Sequence, residues 1–235
     1  MRTCGLILWV GLLGAEAVAL CRVPQPRLVC AEYFRSKGVV IATLAGVTPV
    51  QDTYGDFTGT YYSMTVEQEL RGHVPRLFRI YEGNDSGRAI FDWKVGDSYL
   101  IFLQGDGPSG AWLIDGCGNS GPTNSKQSAL DEVDMIDRTS NRARIQGAVG
   151  AMSRYFPLSG VQVEARGVGG VITTAETRAD GTFELHVSPG AYQVRALQPG
   201  KTFVAADLTY EDPDALFLED GGCAQVQFVE AAKEH

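Results

Sequence analysis

The stretch TTAETRADGTFELHVSPGAYQVRAL, residues 173–197, decides the fold. Phe183, Leu185 and Val187 alternate with Thr182, Glu184 and His186, and Tyr192, Val194 and Ala196 alternate with Gln193 and Arg195. That period of two belongs to half-buried strands. Two turn dipeptides punctuate it, Asp180-Gly181 and Pro189-Gly190. Asp-Gly favours a type I′ turn with φ > 0 at both residues, so it predicts a hairpin joining 172–177 to 182–187. Upstream, 144–149 and 161–165 read as further strands, and the GVGG loop at 167–170 as a hairpin loop. Turns this close together between period-two strands predict a small antiparallel β-sandwich.

The first half carries a different pattern. Residues 38–44 are a nearly continuous β run, 51–60 are polar and read as a turn, and 61–70 alternate with Tyr62, Met64 and Val66 on one face. Residues 77–81, 98–103 and 111–115 follow as strands, the last two joined by a loop over 105–110. Five short strands suit a small closed barrel. Lys126–Arg138 places Leu130, Val133 and Ile136 on one helical face, with Ser125 as the N-cap. The fold class predicted is all-β: a five-stranded OB-like barrel with a flanking helix, followed by a small antiparallel β-sandwich. A short polar linker, Arg138 to Arg142, joins them.

Two resemblances fit this layout. GVVIATLAGV (38–47), VEQELRGHVP (66–75), WKVGDSYLIFL (93–103) and WLIDGCGNSGP (112–122), after an early cysteine, resemble the netrin-like OB domain of the tissue inhibitors of metalloproteinases. That resemblance spans 21–138. The series GAV (147–149), PLSGVQVEA (157–165) and TTAETRADGTFELHVSPGAYQVRA (173–196) resembles the carboxypeptidase regulatory-like, transthyretin-like module, over 143–230. Such modules are usually non-catalytic spacers, folding aids or binding surfaces. The inhibitor resemblance implies a mature N-terminal cysteine that chelates a target's zinc through its free amine and carbonyl. Here the inhibitory edge would be Cys21, Arg22 and Val23. The sequence departs from the inhibitors' Cys-x-Cys start, because the next cysteine is Cys30.

The chain opens with one positive charge, Arg2, then an apolar run over 4–13 and the small residues Gly14, Ala15, Ala17 and Ala19. This is the pattern of a secretory signal peptide over 1–20, too short to span a bilayer. Cleavage after Ala19 or after Ala17 fits. Val18-Ala19-Leu20-Cys21 also resembles a bacterial lipobox, apart from Leu20, so Cys21 is open to lipidation, which would anchor the chain to a membrane. Four cysteines remain in the mature chain, Cys21, Cys30, Cys117 and Cys223, and allow three pairings. The layout favours Cys21–Cys117, pinning the barrel's open end, with Cys30–Cys223 linking the two halves; Cys30–Cys117 competes.

The formal net charge of −8 leaves no basic face for phosphates, so nucleic acid is not an expected partner. No catalytic residues, metal ligands or cofactor are expected: there is no GxSxG, no CxxC, and His73, His186 and His235 are isolated. The acidic run Glu211, Asp212, Asp214, Glu219 and Asp220 reads as a solvated loop, since its spacing matches no calcium loop. Asn84-Asp85-Ser86 is a glycosylation sequon. The function expected is that of an exported, non-enzymatic binding or structural protein, secreted or periplasmic. Its partner would be an unidentified protein or envelope component. The alternative is a metalloprotease inhibitor acting through Cys21.

Overall fold

A computed structural model describes residues 27–85, 88–89, 91–136, 139–151, 156–206 and 211–231. The signal peptide, Cys21, Arg22, Val23 and the sequon's Ser86 lie outside the described residues. The chain forms an all-β structure with two short helices. Helix α1, Val29–Arg35, precedes β1 (Gly38–Gln51), β2 (Phe57–Arg71), β3 (Leu77–Gly83), β4 (Ser98–Leu103) and β5 (Gly121–Pro122). These five strands make one sheet in the order β3-β2-β1-β4-β5. Val40, Ala42, Leu44, Met64, Ile80 and Tyr99 form its core, each almost fully buried.

The expected barrel does not close, and 111–115 is not its fifth strand. Only Trp112 and Leu113 bond to the neighbouring strands. Trp112 N–H donates to Arg79 O (2.7 Å) and Trp112 O accepts from Tyr81 N–H (2.9 Å). On the other side, Gln104 N–H donates to Leu113 O (2.8 Å) and Leu113 N–H to Gly105 O (3.1 Å). The segment is cut short by turns at both ends, Pro108–Gly110 before it and Asp115–Gly118 after it, where Gly118 N–H bonds Asp115 O. Between those turns Trp112 makes only isolated bridges, to Ile80 and to Asp106, so no continuous ladder forms. Half of the polar stretch expected to turn over 51–60 is strand. β1 and β2 pair through Gln51↔Phe57, and only 52–56 turn.

Helix α2, Gln127–Asp134, is shorter than expected. Ala129 and Val133 are buried against α1 and β4, with Leu130 and Ile136 partly buried beside them. Ser125 does not cap it; its hydroxyl donates to Pro122 O inside a preceding 3₁₀ turn.

The second half is a two-sheet sandwich. One sheet has the order β10-β6-β14-β12, from β6 (Ala143–Ala151), β10 (Thr182–Val187), β12 (Phe203–Ala205) and β14 (Cys223–Glu230), with β7 (Phe156–Pro157) beside β6. The other is β13-β11-β8-β9, from β8 (Gln162–Gly167), β9 (Ile172–Glu176), β11 (Gly190–Leu197) and β13 (Leu216–Leu218). Ile145, Val163, Phe183, Leu185, Val194 and Val226 fill the space between the sheets. The sandwich is not wholly antiparallel: β14 runs parallel to β6.

The loop after β8 is a hairpin as expected, closed by Gly167 N–H to Val171 O (2.9 Å). The Asp180-Gly181 turn is not a hairpin. β9 and β10 belong to opposite sheets, so the turn arches over the core. Gly181 alone has φ > 0 (+75°), in a turn closed by Gly181 N–H to Arg178 O (2.9 Å) and Arg178 N–H to Thr182 O (2.8 Å). A type I turn with a left-handed glycine fits this, and type I′ does not. Asp180 accepts Thr182 N–H (3.0 Å) and Thr182 Oγ1–H (2.7 Å), which hold its carboxyl below the usual range.

Candidate functional site

α1 is a two-sided wedge. One side, Val29 and Tyr33, enters the core shared by Val39, Leu100, Phe102, Ala129 and Val133. The other side, Cys30 and Ala31, packs on Cys223 of β14. β14 is consequently buried on both faces over Cys223–Phe228, with Ala224, Val226 and Phe228 in the sandwich core. The Cys30–Cys223 disulfide crosses this contact at a sequence separation of 193. It is the inter-half link that the cysteine layout favoured. Cys117 is also disulfide-bonded; its expected partner, Cys21, lies outside the described residues.

The disulfide packs in an apolar cluster with Ala31, Leu28 and Phe34, and buried hydrogen bonds flank it. Glu32, fully buried on α1, accepts the Asn119 backbone N–H (2.6 Å) and side-chain Nδ2–H (2.8 Å) on one carboxyl oxygen. Its other oxygen has no hydrogen-bond partner among the described residues. Gly118 packs so closely there that a Cβ would overlap Glu32 Oε1. Burial pushes the Glu32 carboxyl up to about 7, against the pull of its bonds to Asn119. Lys126, partly buried nearby, is lowered by desolvation and partly restored by Glu32. Asp115 accepts Cys117 N–H (2.9 Å) and pairs with Arg27 (3.0 Å), so the loop that carries Cys117 is tied to the start of α1.

A second carboxyl mirrors the first. Glu211 accepts Gln225 N–H (2.7 Å), and Gln225 Oε1 accepts Leu28 N–H (2.9 Å). Burial raises Glu211 to about 7, opposed by that hydrogen bond and by the charges of Arg35 and Arg27. This corrects the expected solvated loop: Asp212, Asp214, Glu219 and Asp220 are exposed, but Glu211 turns inward. Arg71 of β2 closes the outer side, bonding Glu219 Oε1 (2.7 Å) and Phe34 O (3.1 Å). A cleft of about 270 Å³ opens beside the disulfide, lined by Phe34, Arg35, Glu211, Leu216 and Phe217.

The network joins every cysteine that the structure describes to α1 or the loop packed on it. Glu32, Asn119, Glu211 and Gln225 were not singled out from the sequence as members of one network. The signal available was a lone carboxylate in the apolar run Leu28–Phe34, where an unpaired charge would be costly. Among the described residues, no group of three or more metal-ligating side chains comes together. No described helix is long and apolar enough to cross a membrane. What the arrangement does chemically is brace: one covalent bond and a buried hydrogen-bond network fasten a five-stranded sheet to a β-sandwich.

The fold and this junction define the class as a disulfide-braced all-β protein. No family model matches the chain, and no curated protein does. Solved structures are similar to it in part. The dioxygenase domain of a dioxygenase–carbohydrate-binding protein fusion from Streptomyces sp. SirexAA-E is 15% identical over 38% of this chain and 79% of its own, with a TM-score of 0.26. The Bacillus anthracis TIE protein is 8% identical over 83% of this chain and 30% of its own, with a TM-score of 0.31. The group B streptococcus pilus 2b backbone protein is 10% identical over 84% of this chain and 87% of its own, with a TM-score of 0.29. None of the three reaches the similarity of a shared fold.

Proposed function

We propose that the chain is an exported, non-enzymatic binding or structural protein of the cell envelope or extracellular space. Its halves would be a netrin-like OB-type unit over 21–138 and a regulatory-like sandwich over 143–230, behind a signal peptide over 1–20. The observation that carries this is the Cys30–Cys223 disulfide, buried at the contact of α1 with β14. Such bonds form and persist in oxidising compartments, and a bond that closes so long a loop stabilises the folded chain. The test is fractionation of the native host followed by non-reducing mass analysis. The expected result is a processed chain outside the cytoplasm with Cys30 and Cys223 in one oxidised peptide pair. Full-length, reduced protein in the cytosol would overturn the proposal. The same mass decides whether Cys21 is residue one with a free amine, the only form in which the inhibitors' chelation through the Cys21 amine and carbonyl, with Arg22 and Val23 beside it on the inhibitory edge, has its chemistry.

A further inference from the structure

β1 and β2 are the longest strands of the fold, 14 and 15 residues, and they outrun their neighbours. β4 pairs with β1 only over Gly38–Thr43, after which Leu44 bonds Asp97 O (3.0 Å) and Gly96 N–H (2.8 Å). From Ala45 to Gln51 no strand among the described residues covers the outer edge of β1. Those seven residues make an open edge of about 24 Å at the rise of an antiparallel strand.

The tip of this hairpin is firmly built. Asp52 Oδ1 accepts Tyr54 N–H (2.8 Å) and Asp56 N–H (3.0 Å), while Asp52 N–H donates to Asp56 O (2.9 Å). Gly55 supplies the left-handed residue at φ +90°. The turn holds Tyr54 out at 90% exposure, with Val47 at 45% and Phe57 at 43% along the arms.

Charge selects the occupant. Residues 38–70 contain no lysine, arginine or histidine, and four carboxylates, Asp52, Asp56, Glu67 and Glu69. Open edges are ordinarily guarded by lysine or proline. Here Pro49 blunts one position and no lysine guards the rest. A second copy of this chain would bring the same carboxylates against these, as would any acidic segment. We propose that the outer edge of β1 over Ala45–Gln51, with the Tyr54 tip, docks an extended lysine- or arginine-bearing segment of a partner protein, which joins the sheet as an added strand. Main-chain bonds give the affinity. The partner's cations face Asp52 and Asp56 and the Tyr54 ring, which attracts a cation to its face.

This rests on the binding role proposed above and names the chemistry of its partner; the titration below reads the edge alone, whereas export is read by fractionation, so the two fail separately. The probe is an alternating lysine–valine nonapeptide added to isotope-labelled mature protein. Its controls are a block isomer of the same composition and a glutamate–valine counterpart. Shifts are expected at amides over 45–57, with the alternating peptide at least about tenfold tighter than the block isomer and no binding of the glutamate peptide. Asp56→Asn should weaken binding about threefold, the scale of one exposed ion pair. Tyr54→Ala, at a site too exposed to affect folding, should weaken it by a similar factor. Equal binding of the block isomer, shifts confined to other surfaces, or indifference to both substitutions would overturn the proposal. So would sedimentation showing that the hairpin pairs two copies of the chain.

Discussion

Glu32 on α1 and Asn119 in the loop after Cys117 meet through one carboxyl oxygen, which accepts both the backbone and side-chain N–H of Asn119. The pair fastens the Cys117 loop to the helix that carries Cys30. Both bonds favour the ionised carboxyl, yet burial outweighs them and pushes the group up to about 7.

A pH dependence follows from Glu32 and Glu211. Both rise from 4.5 to about 7 on folding, chiefly through burial. The folded protein keeps protons that the unfolded chain releases between those values. Their contribution is therefore full below pH 4.5 and is lost as the pH rises through 7. Each is worth about 3 kcal/mol if the whole rise is realised. Asn119, Gly118, Asp115, Arg27 and Lys126 surround Glu32; Gln225, Arg35 and Arg27 surround Glu211. The melting temperature should fall from pH 5 to pH 8, and Glu32→Gln should remove about half of that slope. A flat profile for the native chain would contradict it.

The alternating strands of the sandwich were legible because each shows one face to the core: Phe183, Leu185 and Val187 are all buried. The Asp180-Gly181 dipeptide points to a hairpin that the fold does not contain, because a dipeptide reports local φ preference and not which sheet the next strand joins. The far half of the β1–β2 hairpin is not legible because it is mostly exposed and its one buried position, Gly59, has no side chain, so no apolar period marks it. α1 was missed because a seven-residue helix buried on two sides has no polar face to reveal its period. The cysteine layout was informative, since covalent pairing constrains topology independently of local pattern.

Gly181 carries the arch between the sheets. At φ +75° a side chain is strained, and a Cβ would lie 2.7 Å from Val149 O and 2.9 Å from Pro157 Cβ. Gly181→Val should destabilise the sandwich by about 1–3 kcal/mol. Hydrogen exchange of the full chain is the measurement: protection should fall in β6 and β10 and hold in β1 and β4. Unchanged protection in β6 would show that the arch tolerates the strain.

Removing the inter-half disulfide tests the brace. Closing a loop with a sequence separation of 193 is worth about 5 kcal/mol in the chain-entropy model. Cys30→Ala with Cys223→Ala also leaves a small cavity where the sulfurs packed against Ala31 and Leu28. Urea unfolding of the double variant should show a loss of about 3–5 kcal/mol and two separable transitions, one for each half. A loss below about 1 kcal/mol would mean that the buried network holds the halves together without the covalent bond.

Arg71 separates geometry from charge at the same junction. Its guanidinium bonds Glu219 Oε1 (2.7 Å), Phe34 O (3.1 Å) and Ser36 O (3.4 Å), and lies 5.3 Å from the Tyr33 ring centroid and 5.1 Å from that of Phe34. The Arg71 side chain is mostly buried, whereas Glu219 is half exposed. An ion pair with one partner in water contributes little, so Glu219→Gln should cost less than about 1 kcal/mol. Arg71→Lys keeps the charge but loses the planar fork and the stacking, and should cost about 1–2 kcal/mol. Arg71→Ala strips a donor from Phe34 O as well and should cost about 2–3 kcal/mol. The order of the three in thermal unfolding is the test: if Glu219→Gln cost as much as Arg71→Lys, the pair from β2 to the loop after β13, rather than the fork on the carbonyls of Phe34 and Ser36, would be what Arg71 contributes to the junction.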